Sequence, residues 1–296
     1  MDLIVRAEAG GVGTVWAVMP ALGLDTPTLF AAALAKTERV TVGTAIVPAF
    51  TRHPLGLATQ IRALEGLAPG RLRVGIGTAH ARTMVDVYHL PFDRPLAQLR
   101  EYLAVLRPAL AEGTVSFAGE FYRVDATFPS APNTPLLVSA LRAPAFALAG
   151  ELADGAISWL CPVGYLLREA IPAMERGAAT AGRQRPPLVA HALAARTTDR
   201  AALLAAAREQ LAYYAAAPFY ARMWADAGFP LEGGAVSDAL IEALTVWGDD
   251  DAIAAGLRAR LDQGVDELLV SPIFGEDRDA DFGGLIGVLG GMAGRE

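Results

Sequence analysis

The stretch from Arg39 to His80, RVTVGTAIVPAFTRHPLGLATQIRALEGLAPGRLRVGIGTAH, constrains the fold more tightly than any other part of the chain. Val40, Val42 and the run Ala45, Ile46, Val47 are β-branched or small and apolar, and Gly43 and Pro48 punctuate them, as in a strand buried on both faces. From Pro54, apolar residues recur three and four apart (Leu55, Leu57, Ala58, Ile61, Leu64, Leu67), so a helix with one inward face is expected, stopped by Pro69-Gly70. Leu72 to Ile76 repeats the buried-strand signal. Strand, helix and strand make a βαβ unit, whose two strands must pair in parallel.

The rest of the chain alternates in the same way. A helix over 2–9 ends at Gly10-Gly11, a strand covers 14–19, and a helix over 28–37 is capped by Asp25 or Thr26 with Pro27 at its first position. After the βαβ unit come a helix at 95–112, a hairpin at 114–125 outside the main sheet, and a strand at 136–139. Next are a helix at 144–153, a strand at 157–160, a helix at 165–181 and a strand at 188–194. A helical, aromatic-rich insertion over about 200–247 precedes a helix at 250–263 and a last strand at 267–271. Seven buried strands alternate with helices without a linker or composition break, so residues 1–296 are expected to form a single α/β domain, either a (β/α) barrel or a doubly wound sheet.

Composition excludes several classes of function. The net charge is −7 and the arginines are scattered, which argues against nucleic acid or an anionic membrane as partner. Cys161 is the lone cysteine and cannot form an internal disulfide, which fits a reducing compartment. No apolar run is long enough to span a membrane, and the start carries acids where a signal peptide is basic, so a cytoplasmic protein is expected. The chain has no four-ligand metal pattern, no phosphate-binding Walker loop and no Gly-x-Ser-x-Gly elbow.

Four words in order carry a family resemblance: GTAIVPAFTRHP, LAPGRLRVGIGT, RPLAQLREYLAVLRPAL with FAGEFYRV, and PLLVSAL with LAGELADGAISWL. They resemble the luciferase-like flavin and deazaflavin oxidoreductases, most closely those that use the 8-hydroxy-5-deazaflavin coenzyme F-420, and the match runs from about Gly11 to Ser271. The resemblance implies a (β/α)8 TIM-type barrel with insertions, a small-molecule substrate and a homodimer. Relatives begin with a strand before the first helix, whereas this chain opens inside that helix. The barrel is therefore expected to lack its first strand or to be truncated there, and of the two a late start is preferred. An open barrel would leave an unpaired strand edge, a liability for association.

Function in such a barrel belongs at the carboxyl ends of the strands. Where many F-420-dependent relatives carry an Asp-His pair, this chain has Met19-Pro20, so a proton donor must come from elsewhere. The next mouth, Gly43, Thr44, Ala45 and Ile46, corresponds to a bulge with a non-prolyl cis peptide between Ala45 and Ile46 that backs the tricyclic ring; from the residues alone it is a plain buried strand. Gly77 and Thr78, with Gly75 and Ala79, are small enough for a flat ring or its ribityl chain to approach the backbone. His80 falls where sugar-phosphate-oxidising relatives carry an acidic proton donor, so its imidazole is a candidate catalytic group, the alternative being a polar loop histidine. Ser139, Ala140, Leu141 and Arg142 resemble the cofactor's phosphate cradle, and a helix start with a hydroxyl and a guanidinium suits a phosphate; relatives have glycines where Leu141 and Arg142 stand. Trp159 and Cys161 complete the neighbouring mouth, the cysteine reading equally as packing. His53 is assigned to a helix start, and His191, inside its strand, to the core or to a substrate contact.

The reading that follows is an oxidoreductase passing a hydride between reduced F-420 and a small organic substrate. The alternatives are an FMN-dependent luciferase-type monooxygenase and a non-catalytic flavin- or deazaflavin-binding protein.

Overall fold

Parallel pairing of the strands flanking the Pro54 helix organises the whole molecule, as the computed structural model, which describes residues 1–293, shows. In chain order the elements are α1 (Asp2–Ala9), β1 (Thr14–Ala17), α2 (Thr26–Leu34), β2 (Thr41–Pro48), α3 (Pro54–Leu67), β3 (Leu72–Gly77) and α4 (Pro95–Ala111). The hairpin strands β4 (Thr114–Ala118) and β5 (Arg123–Thr127) follow, then β6 (Leu136–Ser139), α5 (Ala143–Leu152) and β7 (Gly155–Ser158). A helical stretch runs from α6 (Val163–Tyr165) through a wide π turn (Leu166–Ala170) into α7 (Ile171–Thr180), followed by β8 (Leu188–Ala195). The insertion comprises α8 (Arg200–Ala215), α9 (Pro218–Asp226) and α10 (Asp238–Leu244), and the chain continues through β9 (Thr245–Trp247), α11 (Asp250–Asp262), β10 (Glu267–Pro272) and α12 (Arg278–Ala293).

Local chemistry sets these boundaries. The Asp25 carboxylate accepts the Thr28 amide at 3.0 Å, and proline opens α2, α3, α4 and α5, where a missing N–H costs nothing. His53, assigned to a helix start, is the N-cap of α3, where its Nδ1 accepts the Leu55 amide at 3.2 Å. The strand expected at 157–160 lies two residues earlier, because Leu160 adopts a left-handed conformation (φ 54°) and turns Trp159 out of the ladder. Two elements gave no readable signal. β9 is three residues long inside a helical region, and α12 is glycine-rich, a poor helix composition.

Seven strands pair in the order β1-β2-β3-β6-β7-β8-β10, all in parallel, and β9 adds to β8. The sheet curls into the barrel form without closing. Among the described residues no strand precedes α1, and the unpaired edges are those of β1 and β10. Side chains bridge that seam at its floor. The Arg73 guanidinium on β3 donates to both carboxylate oxygens of Glu267 on β10 at 2.8 Å, while lying 4.6 Å above the Trp16 ring of β1. Strand residues alternate between two cores. The larger lies between sheet and helices; the smaller fills the curl with Ala45, Leu137, Ile157, Val189 and Leu269, capped by Trp16, Ile46 and Trp159. No described helix is long and apolar enough to cross a membrane.

Candidate functional site

The carboxyl ends of β2, β3, β6 and β7 bring most of the expected residues to one mouth. The ladder between β2 and β3 slips between Thr44 and Val47, and within that bulge the Ala45–Ile46 peptide is cis. Ile46 stays half-exposed and lies across from Gly75 and Gly77. A β-carbon on Gly77 would sit 2.0 Å from Ser139 Oγ, and one on Gly75 would sit 2.1 Å from the Thr44 carbonyl oxygen. Ile46, Gly75, Gly77 and Ser139 therefore form one smooth inner wall, closed to a side chain at Gly75 by backbone and at Gly77 by the Ser139 hydroxyl.

Beyond Ser139 the chain turns into α5. The amides of Leu141, Arg142 and Ala143 have no partner among the described residues, whereas Pro144 has no amide and the Ala145 amide donates back to Arg142. The Arg142 guanidinium, half-exposed, is 3.7 Å from the Asp226 carboxylate on α9. Three unpaired amides, a half-exposed hydroxyl and a guanidinium make a shelf for an anion.

His80 follows Ala79, whose left-handed backbone (φ 57°) turns the chain out of β3. Its imidazole is surrounded by rings of the insertion: Phe219 at 5.2 Å, Tyr213 at 5.5 Å and Tyr220 at 6.2 Å between centroids. The aromatic insertion is thus a roof over His80. Burial beneath it lowers the imidazole's pKa below the ordinary 6.5, so His80 is neutral at pH 7. The Met19 sulfur lies 3.6 Å from the Arg52 guanidinium.

Several expected residues present no side chain to the mouth. The face of Gly43 is filled by the Trp16 ring, 2.3 Å from where a β-carbon would be, and the Thr44 hydroxyl donates to the Gly75 carbonyl at 2.8 Å. Ala140 and Cys161 are packed in the outer core, and burial pushes the Cys161 thiol up to about 12, which removes it as a nucleophile. Thr78 is half-buried and its hydroxyl is 3.4 Å from the Ala79 carbonyl. A feature not anticipated is the stacking of Trp159 on His191, 3.8 Å apart and 13° from parallel. Among the described residues no cluster of histidine, cysteine, aspartate and glutamate could hold a metal ion.

A sequence profile for luciferase-like monooxygenases matches residues 1–267. The chain belongs to that family. Among luciferase-like relatives, the putative coenzyme F420-dependent oxidoreductase Rv3520c of Mycobacterium tuberculosis is 30% identical over 236 residues, covering 72% of this chain and 67% of that protein. Two solved structures share the fold. An F420-dependent secondary alcohol dehydrogenase bound to an F420–acetone adduct superposes with a TM-score of 0.82 at 20% identity, over 98% of this chain and 93% of that one. The oxygenating constituent of 3,6-diketocamphane monooxygenase from Pseudomonas putida, in complex with FMN, gives 0.76 at 16% identity, over 100% and 92%. The residues present fit a flat ring with a phosphorylated tail, because the inner wall is bare where a ring edge would lie and the anion shelf starts at the Ser139 hydroxyl and continues in the amides from Leu141.

Proposed function

We propose that this chain is an oxidoreductase that passes a hydride between the deazaflavin F-420 and a small organic substrate. The observation that carries the reading is the bare wall of Gly75 and Gly77 running into the Ser139 hydroxyl and the unpaired amides of Leu141 to Ala143. The F-420-dependent relative and the F-420-bound structural neighbour support it. When bound, the deazaflavin supplies a two-electron hydride carrier. Ile46 and the glycine wall orient its ring, and Ser139, the amides and Arg142 hold its phosphate. Trp159 closes the side of the mouth nearest the curl.

His80 supplies the proton chemistry. A neutral imidazole accepts a proton at a ring nitrogen, so it suits removal of a hydroxyl proton from the substrate as hydride departs. Phe219 and Tyr220 of the ring roof shelter the insertion side of that imidazole. FMN is the second reading of the same shelf, since it too carries a phosphate on its ribityl chain, and the FMN-bound neighbour favours it. The molecule would work in the cytoplasm as a homodimer.

Titrating the purified protein with F-420 and with FMN, each followed by its own fluorescence, tests the assignment. Preferential F-420 binding is expected, and FMN binding without F-420 binding would reverse the choice. His80→Ala should lower kcat by about a hundredfold while leaving cofactor affinity unchanged, and unaltered turnover would remove its role.

A further inference from the structure

The stacked pair beneath the mouth is held more firmly than packing alone requires. Trp159 sits at the end of β7 with its ring half-exposed, next to Ile46 in the cluster that fills the curl. His191, from the middle of β8, lies under it face to face at 3.8 Å. Both nitrogens of that imidazole are engaged. The Leu160 amide donates to Nδ1 at 3.4 Å, so the proton resides on Nε2, which donates to Ser271 Oγ on β10 at 3.0 Å. The ring is thereby fixed about two axes by three strands, and the indole above it inherits that plane.

We propose that His191 is a positioning residue, a neutral imidazole clamped at both nitrogens that sets the height and tilt of Trp159 where this indole forms a wall of the cofactor site. The inference rests on the functional reading given above. The groups facing the imidazole are consistent with it. Trp159 and Leu160 come from the β7 end, Ser271 from β10, and Arg260 of α11 is the charged group whose field reaches it. No carboxylate among the described residues hydrogen-bonds the ring. Burial, with Arg260 adding to it, lowers the pKa of His191 to about 3, so the tautomer persists through the physiological range.

A double-mutant cycle on cofactor binding tests the role. Trp159→Phe and His191→Phe should each weaken F-420 binding by about tenfold, and the double variant should bind no more weakly than either single one, because both remove the same wall. Wild-type affinity in His191→Phe, or losses that multiply in the double variant, would overturn the positioning role alone. Failure of the wild-type protein to bind either F-420 or FMN would overturn the functional reading and this role together. A second measurement needs no cofactor and guards against misfolding of the phenylalanine variant. A stacked imidazolium quenches indole emission, so the Trp159 contribution, taken as wild type minus Trp159→Phe, should stay flat from pH 8 to pH 5. Ser271→Ala removes the acceptor of the Nε2 proton and so disfavours the imidazolium further; its Trp159 contribution should stay equally flat, and a quench at higher pH than in wild type would show the opposite tautomer and overturn the clamp. A quench near pH 6.5 in the wild-type protein would show that the ring is not clamped as a neutral group and would overturn the proposal.

Discussion

At the scale of single residues, the buried His191 and the half-buried His80 make opposite demands on the chain. His80 was singled out through the family resemblance, with a polar loop histidine as the alternative, and the structure adds the rings whose burial lowers its pKa. The expected consequence is kinetic. With substrate oxidation as the measured direction, kcat/KM should fall on the acid side of 6.5, and an acid limb that persists unchanged in His80→Ala would deny His80 the role of base. His191 was legible only as a choice between core and contact, because its partners depend on the register of β8 against β10 and on the left-handed turn at Leu160. Its consequence is thermodynamic. The folded pKa of about 3 lies below the ordinary 6.5, so the unfolded chain binds the proton more readily and stability is lost as pH falls. Between those values this one group should lower the unfolding free energy by up to about 1.4 kcal/mol per pH unit. Urea titrations at pH 7, 6 and 5 should show that slope in the wild-type protein and its loss in His191→Phe.

At the scale of elements, the pattern of strands and helices was readable wherever a periodic face met a buried partner, as in α3, whose bounds at Pro54 and Leu67 match the spacing of its leucines. Close approaches between backbones were not readable. The α5–α7 contact depends on Gly150 and Gly177, where β-carbons would fall 2.1 Å from the Met174 carbonyl and 1.9 Å from the Ala147 carbonyl, and nothing in the local sequence announces that meeting. The two glycines of the inner wall permit a sharper comparison. A methyl group on Gly75 strikes the Thr44 carbonyl, which belongs to a paired strand and cannot move, whereas one on Gly77 strikes the Ser139 hydroxyl, which can rotate. Gly75→Ala should therefore cost about 1–3 kcal/mol of stability, whereas Gly77→Ala should be close to neutral in stability and weaken cofactor binding. Thermal melts and fluorescence titrations of both variants decide this, and equal melting losses would contradict the assigned geometry.

At the scale of the whole molecule, the alternation of seven strands pointed to a barrel or an open sheet, and family resemblance selected the barrel. An open edge was one of two expectations at the missing opening strand, a late start being preferred, and the bridge across it was not readable, since Arg73 and Glu267 stand 194 positions apart. Their bridge is largely sheltered, so losing one partner leaves a poorly solvated charge. Arg73→Met should lower stability by about 1–3 kcal/mol, measured by urea unfolding, and a change below a few tenths would mean that the bridge is incidental. Its effect should extend beyond the free energy of one chain. Released from the guanidinium that draws them together, β1 and β10 would present two bare backbone ladders of like polarity, each able to template another molecule's strand. Light scattering of concentrated Arg73→Met should therefore rise well below its melting temperature, where the wild-type solution stays clear.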